Sequence, residues 1–316
     1  MTRNTLAVSA ALLGLGLVAA TAWRLSARDA AALAAHPPTG QFVTVEGLQV
    51  HVQMAGSGPD LVLIHGASGN LREFTFALMA RLADRYRVIA VDRPGLGYSD
   101  ALPDLDPSVA SQARILRGAV AALGVENPLV LGQSYGGTVA LAWALQDPPA
   151  GLVLVASPSL PWPGTLDPWY RLTSSPLGRA TLVPLVSAFV PQGLVRQAIN
   201  RVFAPQSAPK GYADHLGIDL TLRRQTLAVN VSQINALRPQ VEVMRKDYPS
   251  LSLPIELVHG DADTIVPMHV HSQPLMQLIP NGNLTVLPGV GHMPHHTNPD
   301  DVIAAIDRAA VRAGLR

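Results

Sequence analysis

The stretch Pro128–Leu145, PLVLGQSYGGTVALAWAL, places one serine between an apolar run and a run with helical character. The apolar residues before Ser134 indicate a buried strand, and the residues from Tyr135 onward indicate a helix. Gly132 to Gly136 match G-x-S-x-G, the pattern of a tight strand-to-helix turn that exposes a serine hydroxyl. Because the same five residues are compatible with an ordinary glycine-rich loop, the rest of the chain has to supply a base and an acid.

Short apolar runs alternate with helical patterns along most of the chain. Two strands joined by a turn at Glu46-Gly47 come first. Further strands are predicted near residues 60–66, 87–95, 128–134, 151–159, 254–263 and 283–292. Helices are predicted near residues 70–86, 107–123, 135–147, 268–278 and 299–315. This alternation predicts an α/β fold with a mostly parallel central sheet and helices on both faces.

The alternation stops between residues 159 and 253, where a proline-rich opening is followed by helical patterns without a strand signal. A strand pattern resumes at Pro254, which favours a helical cap inserted into one sheet domain over a second, all-α domain. We therefore expect a core formed by residues 41–158 and 254–316, with residues 159–253 as the helical cap.

Residues 1–40 precede this core and consist of a hydrophobic segment and an alanine-rich tether ending in HPPTG. Leu6–Trp23 carries no charge and has about the length needed to cross a bilayer, roughly 20 residues. One interpretation is a single-helix anchor in a bacterial inner membrane, with three residues at the membrane interface, Trp23, Arg24 and Arg28. The alternatives are an exported chain whose signal peptide is cleaved near Ala22 and an apolar helix that packs on the protein.

The composition excludes several classes of site. The 316 residues carry a formal net charge of +1, which gives no general reason to expect a nucleic-acid partner. The chain has no cysteine, so disulfides, thiolate catalysis and cysteine-ligated metal centres are excluded. The GSGPD stretch at 56–60 is too short and misplaced for a phosphate-binding loop, so no nucleotide cofactor is expected.

The best candidate for the base is His292, one of ten histidines. It directly follows LPGVG, where a loop leaves the last predicted strand at the carboxyl edge of the sheet. His65 and His259 end buried strands, where backbone hydrogen bonds are expected to orient them. The remaining late histidines match no zinc spacing and are interpreted as solvated surface residues; they are His269, His271, His295 and His296.

The base needs a carboxylate to fix its tautomer, and HGDADTIVP offers Asp261 and Asp263. Asp263 lies deeper in the loop after its strand and is the preferred acid. Asp261 is then expected to form a turn.

The chain order Ser134, Asp263, His292 is that of the α/β-hydrolase fold, and residues 42–314 resemble serine hydrolases of that superfamily that carry a helical cap. The resemblance rests on five stretches in one order: LIHGASG, DRPGLGYSD, GQSYGG, GDADTIVP and GVGHMPHH. It implies an oxyanion hole formed by the backbone N–H groups of Ala67 and Tyr135, with Ser68 a less favoured donor. It implies neither a metal nor an organic cofactor. The DRPGLGYSD loop is either the turn beside the nucleophile or a structural turn alone.

The resemblance also implies a reaction class. Dehalogenases and epoxide hydrolases of this fold use an aspartate nucleophile, whereas this chain has Ser134. We therefore expect hydrolysis of an ester, thioester or lactone of a small to medium apolar substrate through an acyl-enzyme. The same triad is compatible with carbon–carbon bond hydrolysis or peracid formation, and a hydrolase-like ligand-binding protein without turnover is the alternative of a different class. The apolar cap segments predict a hydrophobic acyl pocket, unless their residues serve only to pack the cap.

Overall fold

The structure is a computed structural model that describes residues 3–316, with side chains described at Ser9 and from residue 12 onward. Eight strands form one sheet: β1 (Gln41–Val45), β2 (Leu48–Ala55), β3 (Asp60–Ile64), β4 (Arg87–Val91), β5 (Leu129–Gln133), β6 (Gly151–Val155), β7 (Ile255–Gly260) and β8 (Gly282–Leu287). Their order in the sheet is β1-β2-β4-β3-β5-β6-β7-β8. The pairs β1–β2 and β2–β4 are antiparallel, and every later pair is parallel.

Both faces of this sheet are buried because side chains along a strand alternate between its two faces. In β3, Val62 and Ile64 contribute to one apolar core, while Leu61 and Leu63 contribute to the core on the opposite face. The first core includes α4 (Val109–Ala121) and α5 (Tyr135–Gln146). The second includes α2 (Arg72–Thr75), α3 (Leu78–Leu82) and α14 (Pro299–Arg312). The mostly parallel sheet with helices on both faces is confirmed.

Six helices lie between β6 and β7: α6 (Pro168–Ser174), α7 (Pro176–Phe189), α8 (Gln192–Phe203), α9 (Tyr212–Leu216), α10 (Ile218–Thr221) and α11 (Arg224–Met244). None of the residues described in this stretch forms a strand. We call residues 159–253 the cap. Part of its apolar content packs the cap itself, since Val183 lies against Leu227 and Val231, and Phe203 lies against Tyr212.

Two predicted helices are shorter in the structure than in the sequence pattern. Residues 70–86 form two short helices because Ala77 lies between them with φ of −154°. Residues 268–278 include only the short helix α12 (Ser272–Leu275). Pro274 lies inside this range and lacks the N–H group that a longer helix would use to reach residue 270. A further short helix, α13 (Pro294–Thr297), precedes α14.

The first helix, α1 (Arg3–Ala35), is longer than the sequence suggested. The expected tether is wrong for residues 29–35, because alanine is the best helix former and the helix simply continues through them. Leu25 and Ala32 are buried, and the Arg24 Nε donates to the carbonyl of Ala188 at 2.7 Å. The C-terminal half of α1 therefore packs on the cap.

Within the part of the chain that was described, no single helix is both long and apolar enough to cross a membrane. One pair of helices meets both requirements together, Pro176–Phe189 with Gln192–Phe203, but they are bent by 98° at their junction. The expected membrane anchor at Leu6–Trp23 gains no support from this result, and most side chains of its first residues lie outside those described.

Candidate active site

The candidate nucleophile, Ser134, lies between the end of β5 and the start of α5. Its backbone has φ of 49° and ψ of −125°, a conformation that residues with a side chain rarely adopt. Its N–H donates to the carbonyl of Val155 at 2.8 Å, and its carbonyl accepts from the N–H of Gly137 at 2.8 Å. These bonds hold the strained turn that exposes the hydroxyl beyond the sheet edge.

The glycines on either side of Ser134 are required by close backbone contacts. A Cβ atom at Gly132 would lie 2.3 Å from the carbonyl oxygen of Gly136, and one at Gly136 would lie 2.1 Å from that of Ile64. Both distances are far shorter than any carbon–oxygen contact in a folded protein. The G-x-S-x-G pattern is therefore a packing requirement of this turn.

The structure brings the three sequence-predicted residues together. The Oγ of Ser134 lies 3.0 Å from Nε2 of His292, and Nδ1 of His292 lies 2.7 Å from Oδ2 of Asp263. Because a carboxylate only accepts, Nδ1 carries the ring proton, and Nε2 is free to accept from the serine hydroxyl. This is the tautomer that a base acting on Ser134 needs.

Asp263 is buried and surrounded by hydrogen-bond donors. Its Oδ1 accepts from the N–H groups of Ile265 at 2.8 Å and Val266 at 2.9 Å. Its Oδ2 accepts from His292 and, at 3.2 Å, from Nε2 of His259. Burial on its own would raise the pKa of Asp263, but these hydrogen bonds and the nearby imidazoles hold the pKa well below its usual range. The carboxylate is consequently ionised at neutral pH.

His259 contacts the carboxylate of Asp263, and the sequence did not reveal this contact. Its Nε2 lies 2.7 Å from the carbonyl oxygen of Val266, so this nitrogen must carry the proton. Its Nδ1 then accepts from the hydroxyl of Ser272 at 2.6 Å. A signal was present, since His259 ends a strand four residues before Asp263, and a turn there brings the two side chains together.

Two backbone amides beside Ser134 have no acceptor among the described residues, those of Ala67 and Tyr135. The neighbouring amide of Ser68 donates to Oδ1 of Asn230 at 2.7 Å and is engaged. Unpaired N–H groups at the start of a helix favour developing negative charge. Of the three candidates for oxyanion donors, Ala67 and Tyr135 are the two that remain available.

Arg93 and His65 fix the peptide that carries the Ala67 amide. The Gly66 carbonyl accepts from Nη2 of Arg93 at 3.0 Å and from Nδ1 of His65 at 2.9 Å. In a trans peptide the C=O and the following N–H point in opposite directions, so holding the Gly66 carbonyl aims the Ala67 N–H away from Arg93. Burial and the charge of Arg93 lower the pKa of His65 to about 4, so this ring is neutral. As expected, backbone bonds orient His65.

The ring of Tyr135 is buried and supports Arg93. The guanidinium of Arg93 lies over this ring, with 4.3 Å between its central carbon and the ring centroid. Arg93 has no carboxylate partner in the described residues; its Nη1 donates to the side-chain oxygens of Gln112 and Gln233, both at 2.8 Å. Burial lowers the pKa of Arg93 to about 10, which still leaves it charged at neutral pH.

The cap contacts both catalytic loops through polar side chains. Oδ1 of Asn230, on α11, accepts a hydrogen bond from the backbone N–H of Ser68. The Nδ2 of Asn230 donates to the hydroxyl of Ser68 at 2.9 Å. Oε1 of Gln206 accepts a hydrogen bond at 2.9 Å from the N–H of Gly291, the residue before His292. The Nε2 of Gln206 donates to the carbonyl of Gly289 at 2.7 Å. These contacts join segments far apart in sequence, and no local pattern indicates them.

Two turns near the site are structural. Oδ1 of Asp261 accepts a hydrogen bond from the N–H of Gly289 at 2.6 Å and so joins the loops after β7 and β8. Asp261 itself lies in a turn, as expected. In DRPGLGYSD, Oδ2 of Asp92 accepts from the amide of Tyr98 at 2.8 Å. A Cβ atom at Gly97 would overlap Asp92, so the loop makes a tight turn at this glycine.

The interpretation of four late histidines as solvated surface is wrong for three of them. His269 is exposed, but His271 is buried and receives the amides of Ser159 and Leu160 at its Nδ1, both at 3.3 Å. The side chains of His295 and His296 are also buried, and both contact one carboxylate. Packing against the cap removes these rings from solvent, which their local spacing could not indicate.

The arrangement as a whole can move a proton and hold a negative charge. A continuous chain of hydrogen bonds runs from the Ser134 hydroxyl through His292 to the Asp263 carboxylate. The Tyr135 amide directly follows Ser134, and Gly66, the residue before Ala67, lies close to the Cβ of Ser134. Nucleophilic attack on a carbonyl needs both of these elements.

Comparison with known proteins gives a family and several relatives. The model of the alpha/beta hydrolase family matches residues 61–305. A pimeloyl-[acyl-carrier protein] methyl ester esterase of Aeromonas hydrophila is 31% identical over 270 residues, covering 82% of this chain and 98% of the esterase. A 2-hydroxymuconate semialdehyde hydrolase of Pseudomonas putida is 29% identical over 265 residues, covering 81% of this chain and 88% of that enzyme.

A solved structure agrees with these relatives. The crystal structure of an esterase from a Rhodococcus species superposes with a TM-score of 0.67 at 25% identity, covering 87% of this chain and 98% of the esterase. The relatives are thus hydrolases of more than one bond type, and hydrolase activity is what they share. With its sheet, its strained serine turn and a family match over most of its length, the chain belongs to the alpha/beta hydrolase family.

Proposed function

We propose that the chain is a serine hydrolase that cleaves an ester, thioester or lactone of a small to medium apolar substrate. The single observation that carries this proposal is the hydrogen bond of 3.0 Å between Oγ of Ser134 and Nε2 of His292. A serine hydroxyl is a weak nucleophile unless a base removes its proton, and here the base is in place and in the required tautomer.

The reaction that this geometry supports has two halves. His292 takes the proton of Ser134 as Oγ attacks the substrate carbonyl, and Asp263 stabilises the imidazolium that forms. The amides of Ala67 and Tyr135 hold the negative charge of the tetrahedral intermediate. His292 then protonates the leaving alcohol or thiol, and an acyl group remains on Ser134. Water activated by His292 releases the acid in the second half.

A fluorophosphonate probe tests the nucleophile directly, since such probes attach covalently to an activated serine. We expect the wild type to be labelled and Ser134→Ala to be unlabelled. Ser252→Ala, at an exposed serine outside the site, is the matched control and should label like the wild type. Absence of labelling in the wild type, or equal labelling of Ser134→Ala, would contradict the proposal and favour a ligand-binding protein without turnover.

The substrate is proposed to be an apolar acyl compound. Support comes from the esterase relatives and from the low charge of the apolar cap segments. A series of p-nitrophenyl esters of increasing acyl length measures the pocket. We expect kcat/KM to rise from the acetate to medium chain lengths, and a preference for acetate would contradict an apolar acyl pocket.

A second candidate is hydrolysis of a carbon–carbon bond beside a ketone, and the Pseudomonas putida relative is named as a hydrolase of 2-hydroxymuconate semialdehyde. The same triad serves this reaction, so the choice rests on kinetics. Turnover of a dienol–ketone substrate with kcat/KM above that of the best ester would favour it. Activity with esters alone would favour ester hydrolysis as the reaction of this chain. Peracid formation from an ester and hydrogen peroxide is a side reaction to be measured in the same assays.

The location of the chain is a separate proposal, that α1 holds it at a bacterial inner membrane. The support is the charge-free segment Leu6–Trp23, in which residues 12–20 are all exposed along the helix. After a carbonate wash the full-length chain should stay with the membrane fraction, and its release would count against the anchor. An intact mass lacking about the first 22 residues would favour the exported form with cleavage near Ala22.

A further inference from the structure

A buried carboxylate behind the catalytic loop is surrounded by two histidines and a tyrosine. The Oε1 of Glu73, on α2, lies 2.8 Å from Nε2 of His295 and 2.5 Å from Nε2 of His296. Its Oε2 accepts from the hydroxyl of Tyr212, in the cap, at 2.7 Å. The four side chains come from the core, from the segment after the catalytic histidine and from the cap. None belongs to the reaction proposed above.

The charge of Glu73 is not balanced by a strong base. Within the described residues its ionic contacts are with His295 and His296 alone, and its side chain is 5% exposed. Phe76, Phe203 and the Tyr212 ring lie around His296, with centroids 4.9 to 5.7 Å from that ring. A carboxylate in an aromatic enclosure is unfavourable unless a cation is close to it.

Each of the two imidazole rings also has a second nitrogen atom, Nδ1, that the contact with Glu73 does not use. Both Nε2 atoms face Glu73, and the Nδ1 atoms of His295 and His296 are buried with no hydrogen-bond partner among the described residues. An unpaired buried polar atom costs about 1–3 kcal/mol. If a cation takes the Nε2 lone pairs, each ring proton can move to its bare Nδ1, so the rings lose no proton to solvent.

We propose that Glu73, His295 and His296 form a binding site for a divalent transition metal, zinc in the first place. Two imidazoles and a carboxylate are an established zinc ligand set, with the metal about 2.0–2.2 Å from each ligand atom. A tetrahedral arrangement at that bond length separates its ligand atoms by about 3.3 Å. The present nitrogen–oxygen separations of 2.5 and 2.8 Å therefore need to open by less than 1 Å. The Tyr212 hydroxyl donates to the other carboxylate oxygen of Glu73 and so helps to fix this side chain.

The position of the site suggests its effect. His295 and His296 lie on α13, only a few residues after His292, while Tyr212 belongs to the cap. A metal held there would join α2 to the segment after His292, and the Tyr212 hydroxyl already joins Glu73 to the cap. Metal-ligating histidines usually donate their second N–H to a protein acceptor, and loss of such a partner weakens affinity about 10–100-fold. We therefore expect zinc to bind more weakly than at a site whose histidines have such partners.

The experiment uses the full chain purified without a histidine tag, treated with a chelator, and then titrated with zinc chloride by calorimetry. We expect one zinc per chain and a higher Tm in the presence of zinc. Glu73→Gln and His296→Asn should each weaken binding at least 10-fold. His269→Asn removes an exposed histidine outside the cluster and should bind zinc like the wild type. Circular dichroism of each variant establishes that it is folded.

Absence of saturable zinc binding in the wild type, or full binding by Glu73→Gln and His296→Asn, would overturn the site. Should neither variant fold, cobalt(II) binding to the wild type decides: an intense visible spectrum typical of tetrahedral nitrogen and oxygen ligands supports the site, and its absence overturns it. Fluorophosphonate labelling of Ser134 does not depend on the metal, so failure of this proposal and failure of the proposed hydrolase are separately detected.

Discussion

His259 and His292 donate to the same oxygen atom, Oδ2 of Asp263, at 3.2 and 2.7 Å. Only His292 reaches the Ser134 hydroxyl, so the two rings have different positions relative to the reaction. His259 is additionally fixed by Val266 and Ser272, so it acts as a rigid donor behind the acid. We expect this donor to reduce the negative charge that Asp263 presents to His292.

Replacing His259 is expected to change the pH dependence of the reaction. In His259→Leu the Asp263 carboxylate loses one hydrogen-bond donor, and more negative charge remains on Oδ2. The acidic limb of the kcat/KM profile should therefore move to higher pH. The measurement is ester hydrolysis over a pH series.

His259→Gln is the matched variant because its amide can still donate to the carboxylate. Its profile should lie near that of the wild type. An unchanged acidic limb in His259→Leu, with only kcat reduced at every pH, would show that His259 has a purely structural role.

Two buried neutral histidines should make folding stability depend on pH. Burial lowers the pKa values of His65 and His271 to about 4, and the charge of Arg93 adds to this effect at His65. Between pH 4 and about 6.5 the unfolded chain binds these two protons and the folded chain does not, so stability rises with pH there. Each ring contributes a slope of about 1.4 kcal/mol per pH unit in this range.

Urea unfolding at several pH values from 7 down to 4.5 measures this slope. His271→Asn should reduce it by about 1.4 kcal/mol per pH unit, since the asparagine oxygen can still receive the amides of Ser159 and Leu160. His269→Asn, at an exposed position, should leave the slope unchanged. Equal slopes for the wild type and His271→Asn would contradict the assignment of His271 as a buried neutral ring.

The three candidate catalytic residues could be predicted from the sequence because each one lies at or shortly after the end of a predicted strand. Ser134 follows β5, Asp263 follows β7 and His292 follows β8, and parallel strands bring such loops to one edge of the sheet. The sheet itself could be predicted from hydrophobic periodicity, because buried strands and amphipathic helices have distinct periods.

The supporting contacts could not be predicted in this way because they join segments with no common local pattern. Ser68 and Asn230 are 162 positions apart, and Gln206 meets Gly291 only because the cap folds over the sheet edge. Burial of His295 and His296 also depends on cap residues. By contrast, the extension of α1 to Ala35 could have been predicted, because residues 29–35 are rich in alanine and alanine has the highest helix propensity.

Arg93 is expected to contribute to the reaction without contacting the substrate. In Arg93→Met the Gly66 carbonyl loses its charged donor, and the following amide of Ala67 is no longer held toward the oxyanion. Loss of one oxyanion donor typically lowers kcat about 100-fold or more, so we expect a fall of about 10–100-fold for this partial loss, with KM little changed. Steady-state kinetics with the best p-nitrophenyl ester measure both.

Arg87→Met is a control for loss of a charge elsewhere, since Arg87 pairs with Asp60 at the opposite end of the strands. It should leave kcat near the wild-type value. Arg93→Lys keeps the charge but presents a single point donor, and should give an intermediate kcat. If Arg93→Met is folded and has the wild-type kcat, then Arg93 does not position the oxyanion amide.

A methyl group is expected to have opposite effects at two glycines. In Gly136→Ala the new Cβ would lie 2.1 Å from the Ile64 carbonyl oxygen, and this rigid backbone contact cannot relax without moving β3 or α5. We expect the free energy of unfolding to fall by about 4 kcal/mol or more, with loss of fluorophosphonate labelling. Gly193 lies in α8 and has no atom within 4 Å of a Cβ built on it, so Gly193→Ala should be stabilising by about 0.4–1 kcal/mol. Thermal unfolding of the two variants beside the wild type measures both effects. Because the substitution is the same at both positions, a stable and labelled Gly136→Ala would show that the serine turn tolerates a wider backbone separation than these contacts imply.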